Sequence, residues 1–160
     1  MQGLVFERLK NKYFTYMKEI MDVASDHISK YNWLISDYIC NVYPSECIDP
    51  KKELAWIDGE SLISLVNEND IQFIWAVFSA FPKSVTLQDV LKYRLPFADG
   101  NEAIRDVDIK MQNPLAKIEI IPWDSCLLVI IAQSSNLIRR LKKEYPDAID
   151  LKTYNSSIQK

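Results

Sequence analysis

Glycine is scarce in this chain of 160 residues, occurring only at Gly3, Gly59 and Gly100. Glycine-rich phosphate loops need several glycines close together, so that the backbone can approach the phosphate, and they are excluded. Histidine occurs once, at His27. Any Ser-His-Asp or Cys-His relay would have to use it. A surface or half-buried structural histidine is expected. The three cysteines, Cys40, Cys47 and Cys126, are odd in number and do not form a disulfide framework. Cys40 and Cys47 lie outside the usual short chelating spacing, and no basic neighbour stands ready to stabilise a thiolate. Cys126 is expected as a small apolar core residue at the start of a strand. No cofactor and no metal ion is expected. The longest apolar run, Cys126 to Ala132, falls far short of the ~20 residues of a membrane span. Residues 1–17 carry Glu7, Arg8, Lys10 and Lys12 without an apolar core, so no signal peptide is expected. A reducing, cytoplasmic setting follows, with no membrane partner.

Hydrophobic residues make up 48% and charged residues 26% of the chain. That is enough apolar surface to bury a core without disulfide or metal. A net charge of −3 argues against a dedicated nucleic-acid binder, whose affinity comes from neutralising phosphates with Lys and Arg.

Phe6, Leu9, Tyr13, Met17, Ile20, Ala24 and Ile28 recur at spacings of three and four, which predicts an amphipathic helix over 6–29. Tyr31 to Tyr43 alternates aromatic and β-branched residues as a strand does, and Pro44 ends it. A short strand over 54–57 follows. Asp58 then caps a helix whose apolar face holds Leu62, Ile63, Leu65 and Val66. Ile71 to Phe81 is apolar on both alternating sets, as a central strand requires. A short helix over 86–93 would turn Leu87, Val90 and Leu91 inward. Residues 94–114, with Pro96, Gly100 and Pro114, read as a long surface loop with at most one helical turn.

The stretch 118–151 predicts a hairpin, Ile118–Ile121 and Cys126–Ala132, joined through Trp123-Asp124-Ser125. A helix capped by Ser134 or Ser135 and stopped by Pro146 comes next, and 148–151 returns as a strand. This β-α-β unit is right-handed if its strands are parallel. The fold class expected is α+β: one domain over 1–152, with a mostly antiparallel sheet of five or six strands. A long N-terminal helix and a C-terminal helix pack on the sheet, and residues 153–160 form a frayed tail.

Asp99, Glu102, Asp106 and Asp108, opposed only by Arg105, give −3 over ten residues. Their spacing does not fit an EF-hand loop. They can be a solvated loop, an acidic contact surface for a basic partner, or carboxylates for a divalent cation or acid-base work. Trp123 and Asp124 stand at the hairpin turn, where an aromatic can anchor a partner or fold back over the sheet edge. Arg139, Arg140, Lys142 and Lys143 gather near a helix C-terminus, where cations complement the helix dipole; anion or nucleic-acid binding is the alternative.

The runs YNWLIS at 31, FSAFPK at 78–83 and IPWDSCLLVIIA, followed by a helix ending KKEYPDAIDL, resemble small bacterial proteins of unknown function. Some families of that look are immunity proteins of polymorphic toxin systems. The resemblance implies a non-catalytic protein that binds and neutralises a cognate partner protein, with a basic toxin domain the natural candidate. Partner-binding candidates are Asp99, Glu102, Asp106, Asp108, Trp123 and Asp124. The alternative is a small-molecule or regulatory module, with a pocket between the sheet and the first helix.

Overall fold

Runs of β-branched and aromatic residues become strands in the structure, a computed structural model that describes residues 1–7, 15–44 and 47–158. The strands are β1 (Gln2–Phe6), β2 (Tyr31–Cys40), β3 (Leu54–Asp58), β4 (Phe73–Pro82), β5 (Ile118–Trp123), β6 (Leu127–Ala132) and β7 (Ile149–Asp150). They form one sheet in the order β3-β2-β4-β5-β6-β1-β7, and every neighbouring pair is antiparallel. The α+β class and antiparallel sheet therefore stand. β4 lies between β2 and β5, and is buried on both faces, as its doubly apolar sequence predicts.

The strand beyond the five or six expected is β1. Its Leu4, Val5 and Phe6 are all buried, because the strand sits between β6 and β7 with both faces covered. The helix expected over 6–29 is shorter: α1 runs Lys18–Ile28, and Phe6 belongs to β1. Spacings of three and four extend the stripe back through Phe6, although the last buried residue of a strand satisfies the same count. Leu9 and Tyr13 of that stripe lie outside the described residues.

One face of the sheet carries Leu4, Phe6, Trp33, Ile35, Phe78 and Ile130, which pack against α1, α2 (Gly59–Glu68) and α4 (Ser135–Glu144). Asp58 caps α2 as expected, accepting the N–H groups of Glu60 and Ser61 at 3.1 Å each. Ser134 caps α4 through the N–H of Asn136. The expected helix over 86–93 is a single turn, α3 (Leu87–Val90), held by reciprocal Thr86 and Asp89 caps. Val90 is buried there, but Leu91 is exposed, because the helix stops before another turn can bring it inward.

The β6–α4–β7 unit forms, with β1 inserted between its two strands. Each is antiparallel to β1, so β6 and β7 run parallel. The chain then continues as α5 (Leu151–Ile158), so residues 153–158 of the tail expected over 153–160 are helical, and residues 159–160 lie outside the described residues. Leu151 and Asn155, four residues apart on one helix face, are both buried. The second sheet face carries Val5, Val77, Ile121, Trp123, Val129 and Ile131. It is covered by α5 through Leu151, and by the irregular segment 94–114 through Ala98 and Ile104.

Candidate functional site

An irregular segment laid on a sheet brings backbone N–H and C=O groups out of water, and each needs a partner. Segment 94–114 finds its partners in polar side chains from the surrounding elements. In β2, the register slips between Ser36 and Ile39, and Asp37 adopts a left-handed conformation, φ 51°. Its carboxylate accepts the N–H groups of Ala98 at 2.6 Å and Asp99 at 2.9 Å. Ser36 donates its hydroxyl to the Pro96 carbonyl at 2.7 Å. From α5, Asn155 donates to the carbonyls of Ile104 and Asp106, at 3.1 and 2.7 Å. Within the segment, Gln112 Oε1 accepts from the Phe97 N–H and from Asn101 Nδ2, both at 2.9 Å. The expected loop, with one 3-10 turn over Glu102–Arg105, is thus a pinned cover.

Glu119 is the central pin. It lies on β5 with no exposed surface, and its Oε1 accepts the N–H groups of Gln112 at 2.9 Å and Asn113 at 3.2 Å. Burial raises its pKa from 4.5 to about 7, against the opposing pull of those two N–H donors. Its Oε2 has no hydrogen-bond partner, nor do Gln112 Nε2 and Ser79 Oγ. Ser79 on β4 stands directly opposite Glu119 in the strand register. A cavity of about 120 Å³ opens beside Glu119 and Gln112, walled by Ile104, Ile121 and Ile131, with Asp106, Asp108 and Lys110 also lining it.

Sequence reasoning passed over Glu119. The available signal was a single acid inside IEIIPW, on the alternate side that also carries Ile121 and Trp123. Strand alternation alone would have turned it into the core.

Asp99, Glu102, Asp106 and Asp108 are all exposed on this cover. Two hold ion pairs: Glu102 with Arg105 at 3.5 Å, and Asp108 with Lys110 at 2.6 Å. Lys110 lies just past the acidic window, so the four acids against Arg105 and Lys110 leave −2 over 99–110. The Asp108 carboxyl is held below its usual range by the hydrogen bond and charge of Lys110.

Asp124 is exposed, at the tip of the hairpin. It and Ser125 both have positive φ, 49° and 54°, and the Cys126 N–H closes the turn on the Trp123 carbonyl at 3.0 Å. Trp123 is not a surface anchor. It is 7% exposed, set edge-on to Trp75 with ring centroids 5.3 Å apart, and covered by the Arg105 guanidinium at 5.4 Å. Strand alternation turns it onto the covered second face of the sheet rather than over its edge. Cys126, expected in the core, is exposed, because it belongs to the turn and β6 begins one residue later. Burial pushes the Cys40 thiol up to about 12.

His27 is half-buried in the last turn of α1, and desolvation lowers its pKa. Arg140 pairs with Asp26 at 2.8 Å, tying α4 to α1. Lys142 donates to the carbonyls of Pro146 and Ala148 just beyond α4. The space between the sheet and α1 is filled by Ile20, Met21, Ala24 and Ile28. A cleft of about 670 Å³ lies instead between residues 16–19 at the start of α1 and residues 66–71 at the end of α2. Among the described residues, no group of three or more His, Cys, Asp or Glu side chains is placed to hold a metal ion, and no helix is long and apolar enough to cross a membrane.

Fold and site together define an α+β protein whose antiparallel sheet is covered by helices on one face and by a pinned acidic segment on the other. The chain belongs to the family described as Protein of unknown function (DUF2691), whose model matches residues 1–99. No curated protein matches the chain, and no solved structure matches it.

Proposed function

We propose that this is a non-catalytic, cytoplasmic protein-binding protein that neutralises a cognate partner, in the manner of an immunity protein facing a basic toxin domain. One observation carries the reading: Asp99, Glu102, Asp106 and Asp108 are presented to solvent on a segment whose backbone is anchored at Ser36, Asp37, Glu119 and Asn155. Anchoring matters because ordering a free loop on binding costs affinity, and a preorganised surface avoids that cost. Clustered exposed acids also steer a basic partner and speed encounter, with a salt dependence to match. Asp124 extends the acidic rim on the neighbouring turn, since Arg105 spans the 3-10 turn and the hairpin by lying over Trp123.

The test is affinity capture from the native cell, comparing wild type with a variant in which Asp99, Glu102, Asp106 and Asp108 are replaced by Lys. Capture of one basic protein, lost in the variant and weakened by salt with wild type, supports the reading. The same protein captured equally by both, with no salt dependence, removes this surface from it.

A further inference from the structure

Buried polar groups in folded proteins are almost always paired, so unpaired ones gathered beside a cavity ask for a ligand. Two side-chain atoms of residues lining one cavity lack partners: Glu119 Oε2 and Gln112 Nε2. Glu119 and Gln112 line the same cavity of about 120 Å³, and Ser79 faces Glu119 from the adjacent strand. The orientation of Gln112 is fixed, because its Oε1 already accepts from the Phe97 N–H and Asn101 Nδ2. Its Nε2 must therefore present N–H toward any occupant. Glu119 Oε1 is likewise committed to two backbone N–H groups, which leaves Oε2 as an acceptor. The walls combine aliphatic surface from Ile104, Ile121 and Ile131 with the charged residues Asp106, Asp108 and Lys110.

We propose that this cavity is a binding site for a small primary carboxamide, its NH2 donating to Glu119 Oε2 and its carbonyl accepting from Gln112 Nε2. The volume suits such a molecule, since it holds about four water-sized groups at roughly 30 Å³ each. A simple ammonium ion satisfies Glu119 but leaves Gln112 Nε2 facing a cation. A carboxylate satisfies Gln112 but sets an anion against Glu119. A group with a donor and an acceptor side by side answers both, and a carboxamide adds an apolar end for the isoleucine walls. Bound amide stabilises ionised Glu119, so affinity falls as the solution is acidified below neutrality.

Acetamide is the probe, titrated into the ¹⁵N-labelled full chain at pH 8, with methylammonium and acetate as parallel arms. The expected result is saturable shifts of the Gln112 side-chain amide and the Gln112 and Asn113 backbone amides, with a dissociation constant on the order of millimolar. Glu119→Gln, which turns the acceptor into a donor, weakens binding at least tenfold. Ala103→Trp, placed at an exposed lining position, blocks the cavity without touching the core. This second variant keeps the test open if the first fails to fold. Absence of saturable shifts, tighter binding of methylammonium or acetate, or unchanged affinity in Ala103→Trp overturns the proposal and leaves a water-filled pocket.

Discussion

A carboxyl group buried without a cation makes the fold sensitive to pH, and Glu119→Gln isolates that sensitivity. Burial raises the folded pKa of Glu119 from 4.5 to about 7, so between those values the folded state binds a proton that the unfolded chain has released. Stability falls with rising pH wherever the folded state holds more protons. The contribution of Glu119 is complete below about pH 4.5 and is lost as pH climbs through about 7. The full displacement corresponds to about 3 kcal/mol at 1.36 kcal/mol per tenfold change, and most of it, about 2.5 kcal/mol, falls between pH 5 and pH 8. Glutamine has the same shape and can still accept the Gln112 and Asn113 N–H groups, but it cannot ionise. Its fixed cost, an amide N–H2 in place of Oε2, is the same at both pH values and cancels in the comparison.

Urea unfolding of both proteins at pH 5 and pH 8 reads the effect directly. The variant should gain about 2.5 kcal/mol on wild type across that range, which for a chain of this length is roughly 5–10 °C in Tm. Exposed carboxylates held low by ion pairs, such as Asp108, are common to both proteins and drop out. A difference in stability that stays flat from pH 5 to pH 8 refutes the buried, uncompensated carboxyl.

Three further substitutions test the packing. A Cβ at Gly59 would lie 2.0 Å from the Ile28 carbonyl oxygen, where α2 starts against the end of α1; Gly59→Ala should cost about 2–3 kcal/mol in denaturant unfolding, as overpacking against backbone does. Asp58→Ala removes the α2 cap and should cost about 1 kcal/mol, with Asp58→Asn restoring most of it. Asn155→Ala strips the buried Ile104 carbonyl and the part-buried Asp106 carbonyl of their donor; it should cost about 1–3 kcal/mol, with faster hydrogen exchange confined to residues 102–108.

Most of the sheet was legible from sequence because strands such as IQFIWAVFSAF and CLLVIIA are continuous apolar runs bounded by proline or turn residues. The caps at Asp58 and Ser134 were legible for an equally local reason: a short acceptor side chain precedes the first apolar turn. β1 was not, because LVF is too short for its alternation to compete with the helical spacing that follows. The site was half legible. Charge density marked Asp99, Glu102, Asp106 and Asp108, but ion pairing by Lys110 and burial of Trp123 depend on how the segment lies on the sheet. The pins, Asp37, Glu119 and Asn155, each look like an isolated polar residue in an element's interior. Their partners stand far along the chain, with Asp37 bonded 61 and 62 residues away, and no local pattern carries that distance.

The acidic rim, the pH response and the cavity all rest on segment 94–114 being fixed to the sheet through Glu119. Amide hydrogen exchange at Gln112 and Asn113 measures this most directly, since both N–H groups end on Glu119 Oε1. Exchange as slow as that of the β5 amides, accelerated selectively in Glu119→Ala, is the predicted result. Exchange at the rate of an open loop, unchanged in Glu119→Ala, would contradict the account.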